Sequence, residues 1–146
     1  MDSDQAELNT IHRMLQSGLM ISVVDDEEAI RKALCRLLRA AGFQAEPHAS
    51  GQEFLDSLSR QIPDCVISDF TLPDLSGQQI QQEFSRRNPN VPVIVITGSE
   101  DPEIAERLLA SGVAAVLLKP VENHKLLESI AAVTQSAKVP DPASGS

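Results

Sequence analysis

The chain has no cluster of lysine or arginine, no apolar run of membrane-spanning length, no glycine-rich phosphate loop and only two cysteines. Each absence removes a class of function. A protein that grips a phosphate backbone needs a basic face, whereas these 146 residues carry a formal net charge of -9, so direct nucleic-acid binding by this chain is not expected. Any output through DNA has to come from a partner. Without a long apolar run there is no membrane helix, and the opening MDSDQAELNT is acidic where a signal peptide is basic, so a cytoplasmic protein is expected. Cys35 and Cys65 lie far apart among apolar neighbours without CxxC spacing, which points to buried thiols rather than a redox or zinc site. No GxxxxGK[ST] loop follows the first apolar segment, which sets nucleotide hydrolysis aside.

The hydrophobic content, 42%, is that of a globular protein, and the length suits one domain with one core. Leu19 to Val24 is a short β-branched run that ends on Asp25 and Asp26, which reads as a buried strand. From Glu27 the apolar residues Ile30, Ala33, Leu34, Leu37 and Leu38 recur at helical spacing until Gly42, an amphipathic helix with a glycine cap. A weak strand around Phe43 to Pro47 precedes Ser50 and Glu53, a capping box that opens a second helix through Phe54 and Leu58. CVIS, followed by Asp69, is a third strand; Ser76, Ile80 and Phe84 mark a third helix; and PVIVIT, from Pro92 to Thr97, is a fourth strand of fully buried type. Asp101-Pro102 starts a fourth helix, Ala114 to Leu118 forms a fifth strand, and Leu126, Leu127, Ile130 and Val133 form a closing helix. Alternating strands and helices with apolar strands predict a doubly wound α/β fold, a five-stranded parallel sheet with helices on both faces.

In such sheets ligands gather at the carboxyl ends of the strands, near the point where strand order reverses. The residues at those ends are Asp25 and Asp26, then Asp69, Thr97 and Lys119. An Asp after a strand is usually a loop residue or helix cap, and a Lys before Pro is usually solvated; the sheet, however, brings all five to one edge. Clustered carboxylates repel unless a hard cation or a proton sits among them, and Mg²⁺ suits an oxygen-only set with no His or Cys. The three histidines, His12, His48 and His124, are scattered and read as surface residues. With Mg²⁺ among the carboxylates, Asp69 can accept a phosphoryl group while Lys119 and the Thr97 hydroxyl hold its oxygens.

The segments VVDDEEAIRKAL, VISDFTLPDLSG, PVIVITG and AAVLLKP together resemble the motifs of a response-regulator receiver domain of two-component signalling, over residues 19 to 137. The wording looks most like receivers usually joined to a helix-turn-helix output domain. The resemblance implies the flavodoxin-like receiver fold and a role residue by residue. Asp25 and Asp26 would hold Mg²⁺, Asp69 would accept phosphate and share the metal, and the Thr71 carbonyl would be a further ligand. Thr97 would be the switch hydroxyl and Lys119 the phosphate-binding cation, followed by a cis peptide to Pro120. It also implies a sensor histidine kinase or a histidine phosphotransfer protein as donor and a separate output partner. The chain would then be a switch that catalyses only its own phosphorylation and dephosphorylation.

One departure concerns position 116, three residues before Lys119, where such receivers commonly carry Tyr or Phe and this chain has Val. Either the switch is muted, or another residue around Leu117 or in the fourth helix carries the coupling, or Val116 is simply a core-facing strand residue. Thr71 and Gly98 flank the acceptor and would tune lifetime and access. Residues 1 to 18 form an extension in which Leu8, Ile11, Met14 and Leu15 keep helical spacing, suited to packing on the domain, to homodimerisation or to linkage, or else a frayed tail. The tail from 138 to 146 is rich in Pro, Ser and Gly, as in a stand-alone receiver or an excised piece. Two rivals differ in chemistry: a phosphate-independent docking domain, and an Asp-nucleophile phosphohydrolase, whose DxDx[TV] pattern fails because Thr71 stands where its second Asp belongs.

Overall fold

In the computed structural model, residues 18–70 and 77–138 are described. Five strands, β1 (Met20–Val24), β2 (Gln44–His48), β3 (Cys65–Asp69), β4 (Val93–Thr97) and β5 (Ala115–Leu118), alternate with helices α1 (Glu28–Ala40), α2 (Gly51–Ser57), α3 (Gly77–Arg87), α4 (Pro102–Ala110) and α5 (Asn123–Lys138). All strand pairs are parallel, in the order β2-β1-β3-β4-β5. The chain leaves β1 toward β2 and then returns to β3 on the other side, so strand order reverses between β1 and β3. The doubly wound expectation therefore holds, and the crevice it predicts lies where Asp25 follows β1 and Asp69 ends β3.

The apolar runs of β1, β3 and β4 hide a period of two, because parallel strands are covered on both faces. Ile21, Val23, Cys65, Ile67, Ile94 and Ile96 pack in one cluster with Leu38 of α1 and Leu126 and Ile130 of α5. Val24, Val66, Val93 and Val95 pack in the other with Phe54 of α2, Phe84 of α3 and Leu108 of α4. Both cysteines are buried and free, as expected. Val116 is half-buried against the second cluster, which supports its reading as a core-facing strand residue.

Local signals set the helix boundaries. Ser50 Oγ accepts from the Glu53 N–H at 3.1 Å, and the Glu53 carboxylate reaches back to the Ala49 N–H at 2.6 Å, one residue beyond the usual capping-box partner. Asp101 Oδ1 accepts from the Glu103 N–H at 3.0 Å, with Pro102 in the first turn of α4. The chain turns after α1 and α4 at Gly42 and Gly112, whose φ values of 98° and 108° favour glycine.

One expectation is overturned. His48 is not a surface residue but is 5% exposed, because α2 folds back over the end of β2 and sets the Phe54 ring edge-on against the imidazole, with centroids 5.6 Å apart. His124 is exposed as expected. His12, Ser76, Thr71, most of the N-terminal extension and the tail from 139 lie outside the described residues.

Candidate functional site

The strand alternation aims the site. Asp69 continues the series Cys65 and Ile67, so it ends β3 on the face that α1 and α5 cover; Thr97 continues Val93 and Val95 on the other face. Asp25 directly follows β1 and its N–H donates to the His48 carbonyl at 3.1 Å, so β1 and β2 together fix it. Asp25 Oδ1 accepts from the Glu27 N–H at 2.9 Å, and the Asp25 carbonyl accepts from Arg31 Nη1 at 2.8 Å. Neither His48 nor Arg31 stands out in the sequence as part of this site. The only sequence signal is position, the last residue of an edge strand and a basic residue in the first turn of α1.

One carboxylate oxygen each from Asp25, Asp26 and Asp69 lies within 4.8 Å of the others. Asp25 and Asp69 are buried and Asp26 is exposed. Burial pushes the Asp25 carboxyl above its ordinary range, the Glu27 N–H works against that, and the neighbouring Asp69 and Asp26 charges push it further up, partly offset by Lys119. A buried pair of like charges with an exposed third is held at a cost, and a divalent cation removes it. The donor set is oxygen only, among the described residues, which fits Mg²⁺ rather than a softer metal.

Lys119 Nζ lies 3.2 Å from Asp69 Oδ2. The Lys119 N–H donates to the Thr97 carbonyl at 2.8 Å and the Phe70 N–H to the Ile96 carbonyl at 2.9 Å, so the ends of β3, β4 and β5 are joined through the residues beside the site. Thr97 is buried, and its Oγ1 accepts from the Ser99 N–H at 3.1 Å. The peptide between Lys119 and Pro120 is cis. A methyl group built on Gly98 would meet nothing within 4 Å, so that side is open. Asp25, Asp26, Asp69, Thr97 and Lys119 thus stand at one sheet edge; the expected Thr71 carbonyl lies outside the described residues.

The family model described as the response regulator receiver domain matches residues 21–131. The chain belongs to this family. The receiver is 32% identical over 124 residues to nodulation protein W of Bradyrhizobium diazoefficiens, covering 85% of this chain and 55% of that one. It is 32% identical over 110 residues to the transcriptional regulatory protein FixJ of Rhizobium meliloti, covering 75% of this chain and 54% of that protein. Among solved structures it resembles a response regulator receiver domain protein from Clostridium thermocellum, with TM-score 0.79 and 30% identity over 83% of this chain and 98% of that one. Full-length FixJ from B. japonicum gives TM-score 0.77 at 31% identity, over 87% of this chain and 61% of that chain. The receiver spans about half the length of the curated relatives it matches. It is a signalling module of the two-component type, with the acidic pocket of that family.

Proposed function

We propose that Asp69 accepts a phosphoryl group from a histidine-kinase or phosphotransfer-protein donor and that the phosphorylated receiver passes the signal to an output partner. The observation that carries this reading is the approach of Lys119 Nζ to Asp69 Oδ2 within the acidic cluster. An Asp69 oxygen attacks the phosphorus of a phosphohistidine or an acyl phosphate in line with the leaving group. The P–N or P–O bond breaks and the leaving group departs with that electron pair; the imidazole of a phosphohistidine takes up a proton, whereas the carboxylate of an acyl phosphate leaves as the anion. Lys119 swings its ammonium from the free carboxylate onto an incoming phosphoryl oxygen, and the Thr97 hydroxyl is the second donor on that side. Asp25 and Asp26, with Asp69, would hold Mg²⁺. Bound there, the ion supplies the charge neutralisation that lets an anionic donor approach an anionic acceptor.

The names of the relatives, among them a transcriptional regulatory protein, support a transcriptional output. The net charge of -9 assigns DNA contact to a partner or to another part of the protein rather than to this surface. Among the described residues no helix is long and apolar enough to cross a membrane, and a cytoplasmic donor and output fit that. The test is intact mass after incubation with Mg²⁺ and acetyl phosphate, with a phosphorylated kinase as second donor. One added phosphoryl group, absent from Asp69→Asn, is expected. No addition from either donor, with no response to Mg²⁺, would leave the phosphate-independent docking reading instead.

A further inference from the structure

The edge strand β2 ends on a buried polar atom that lacks a partner. His48 is 5% exposed, and its Nε2 makes no hydrogen bond among the described residues. Such an atom is held at a cost and is rare in native folds. The phosphoryl site does not use it, because His48 serves Asp25 through its backbone carbonyl and not through its ring. The residue lines a polar cavity of about 430 Å³ together with Glu46, Glu53, Asp56 and Arg60. That cavity shares no residue with the acidic cluster.

Residues two apart on a strand share a face, so Glu46 stands beside His48 on β2. Its Oε1 lies 3.8 Å from His48 Nε2, too far for a hydrogen bond. Two metal–ligand bonds of about 2.0–2.2 Å, one to an imidazole nitrogen and one to a carboxylate oxygen, span such a gap. The imidazole is held in place by Phe54, which meets it edge-on. Glu53 is fixed as well, its Oε2 accepting from the Ala49 N–H at 2.6 Å. The competing cation is Arg60, whose Nη2 lies 3.4 Å from the same Glu46 Oε1. Its side chain is 73% exposed, so the guanidinium can withdraw into water with little loss. Burial lowers the proton affinity of the ring, and neutral imidazole is the form that binds a metal.

We infer that His48 Nε2 and Glu46 Oε1 bind a divalent transition-metal ion of the Zn²⁺ class in this cavity. Water completes the shell, and Glu53 and Asp56 add negative charge around it. An imidazole paired with a carboxylate selects such an ion over the Mg²⁺ that suits the oxygen-only cluster. The inference is independent of phosphoryl transfer at Asp69.

The experiment is a Zn²⁺ titration of the full ¹⁵N-labelled chain, read on the histidine ring nitrogens, with Mg²⁺ in large excess to compete at the acidic cluster. Saturable movement of the His48 Nε2 resonance is expected, with the proton kept on Nδ1. Glu46→Gln should weaken binding by about 10²-fold or more, since loss of even an outer-shell partner of a metal site costs about 10–100-fold. Arg60→Gln, which removes the competing cation, should tighten it. The parent titration needs no substitution, so it decides the matter even if a variant fails to fold. A His48 ring that stays silent overturns the inference and gives Nε2 to a bound water. Zn²⁺ shifts confined to His12, His124 or the acidic cluster overturn it too, as does binding at His48 that Glu46→Gln leaves unchanged.

Discussion

Lys119 Nζ stands 3.2 Å from Asp69 Oδ2, although β4 lies between β3, which ends at Asp69, and β5, which Lys119 follows. The ammonium reaches across because the Lys119 N–H is anchored on the Thr97 carbonyl, which turns the side chain back over the sheet edge. Asp69 is 4% exposed while the Lys119 side chain keeps 28% of its surface in water, so the pair holds a buried anion with a cation that can still move. Lys119→Ala is expected to slow phosphorylation from acetyl phosphate by about 10²–10³, the usual effect of removing one donor to a developing anion. Lys119→Arg should recover part of the rate. Time courses of intact mass give the comparison, and an unchanged rate in Lys119→Ala would remove the lysine from the chemistry.

Asp25 makes the second prediction. Its carboxyl is raised by burial first and by Asp69 and Asp26 besides, so the fold holds this proton more readily than the unfolded chain does. Its contribution to stability is present below the unfolded value of 3.8 and is lost as pH rises through the raised folded value. At neutral pH without a metal the ionised Asp25 therefore destabilises the protein. Asp25→Asn keeps an oxygen for the Glu27 N–H, so its melting temperature without Mg²⁺ should exceed that of the parent. With Mg²⁺ at tenfold excess over Kd the parent should gain about 1.4 kcal/mol, a few degrees, and the variant much less. Calorimetry with and without the ion checks both signs, and equal Mg²⁺ responses would place the ion elsewhere.

The apolar runs of β1, β3 and β4 announce themselves because strands covered on both faces need no polar residue, and the carboxylates at their ends follow as soon as the sheet is parallel. The caps at Ser50 and Asp101 are equally local. What the chain does not reveal by pattern is burial at an edge. QAEPH, the β2 segment, contains Pro47 and three polar residues, Gln44, Glu46 and His48, and nothing in it says that the last one is covered. His48 is buried by α2, whose Ser50 cap and Phe54 are legible but whose angle over the sheet is a tertiary fact. The support of Asp25 by the His48 carbonyl and by Arg31 is hidden for the same reason, since those contacts depend on which loops meet.

The cysteines offer a test of the core itself. Burial pushes the Cys65 thiol up to about 12, and burial raises Cys35 as well despite Arg39 and Arg31 nearby. The thiolate is the reactive form, so neither residue should react with a thiol-specific disulfide reagent at pH 8 while the protein is folded. Two thiols per chain should react in denaturant. Rapid labelling of Cys35 under native conditions would mean that α1 opens from the sheet on that timescale.

The last prediction concerns His48, whose Nε2 is buried without a hydrogen-bond partner among the described residues. Burial lowers its proton affinity; the carboxylates of Glu46, 3.8 Å away, and of Glu53 work in the opposite direction, and Arg60 adds to the lowering. The folded protein therefore binds this proton less readily than the unfolded chain, whose value is 6.5. Stability from the neutral ring is complete above that value and is lost as pH falls from it through the lower folded value. Urea midpoints measured at pH 7.5 and at pH 5 should differ more for the parent than for His48→Leu, which cannot take up the proton. Phe54→Ala removes the ring that covers the imidazole and that also packs on Phe84, with centroids 5.3 Å apart. It should cost about 3–5 kcal/mol at neutral pH and, by admitting water to His48, flatten the acid slope as well. If His48→Leu kept the parent's slope, the acid sensitivity would belong to the carboxylates and not to this histidine.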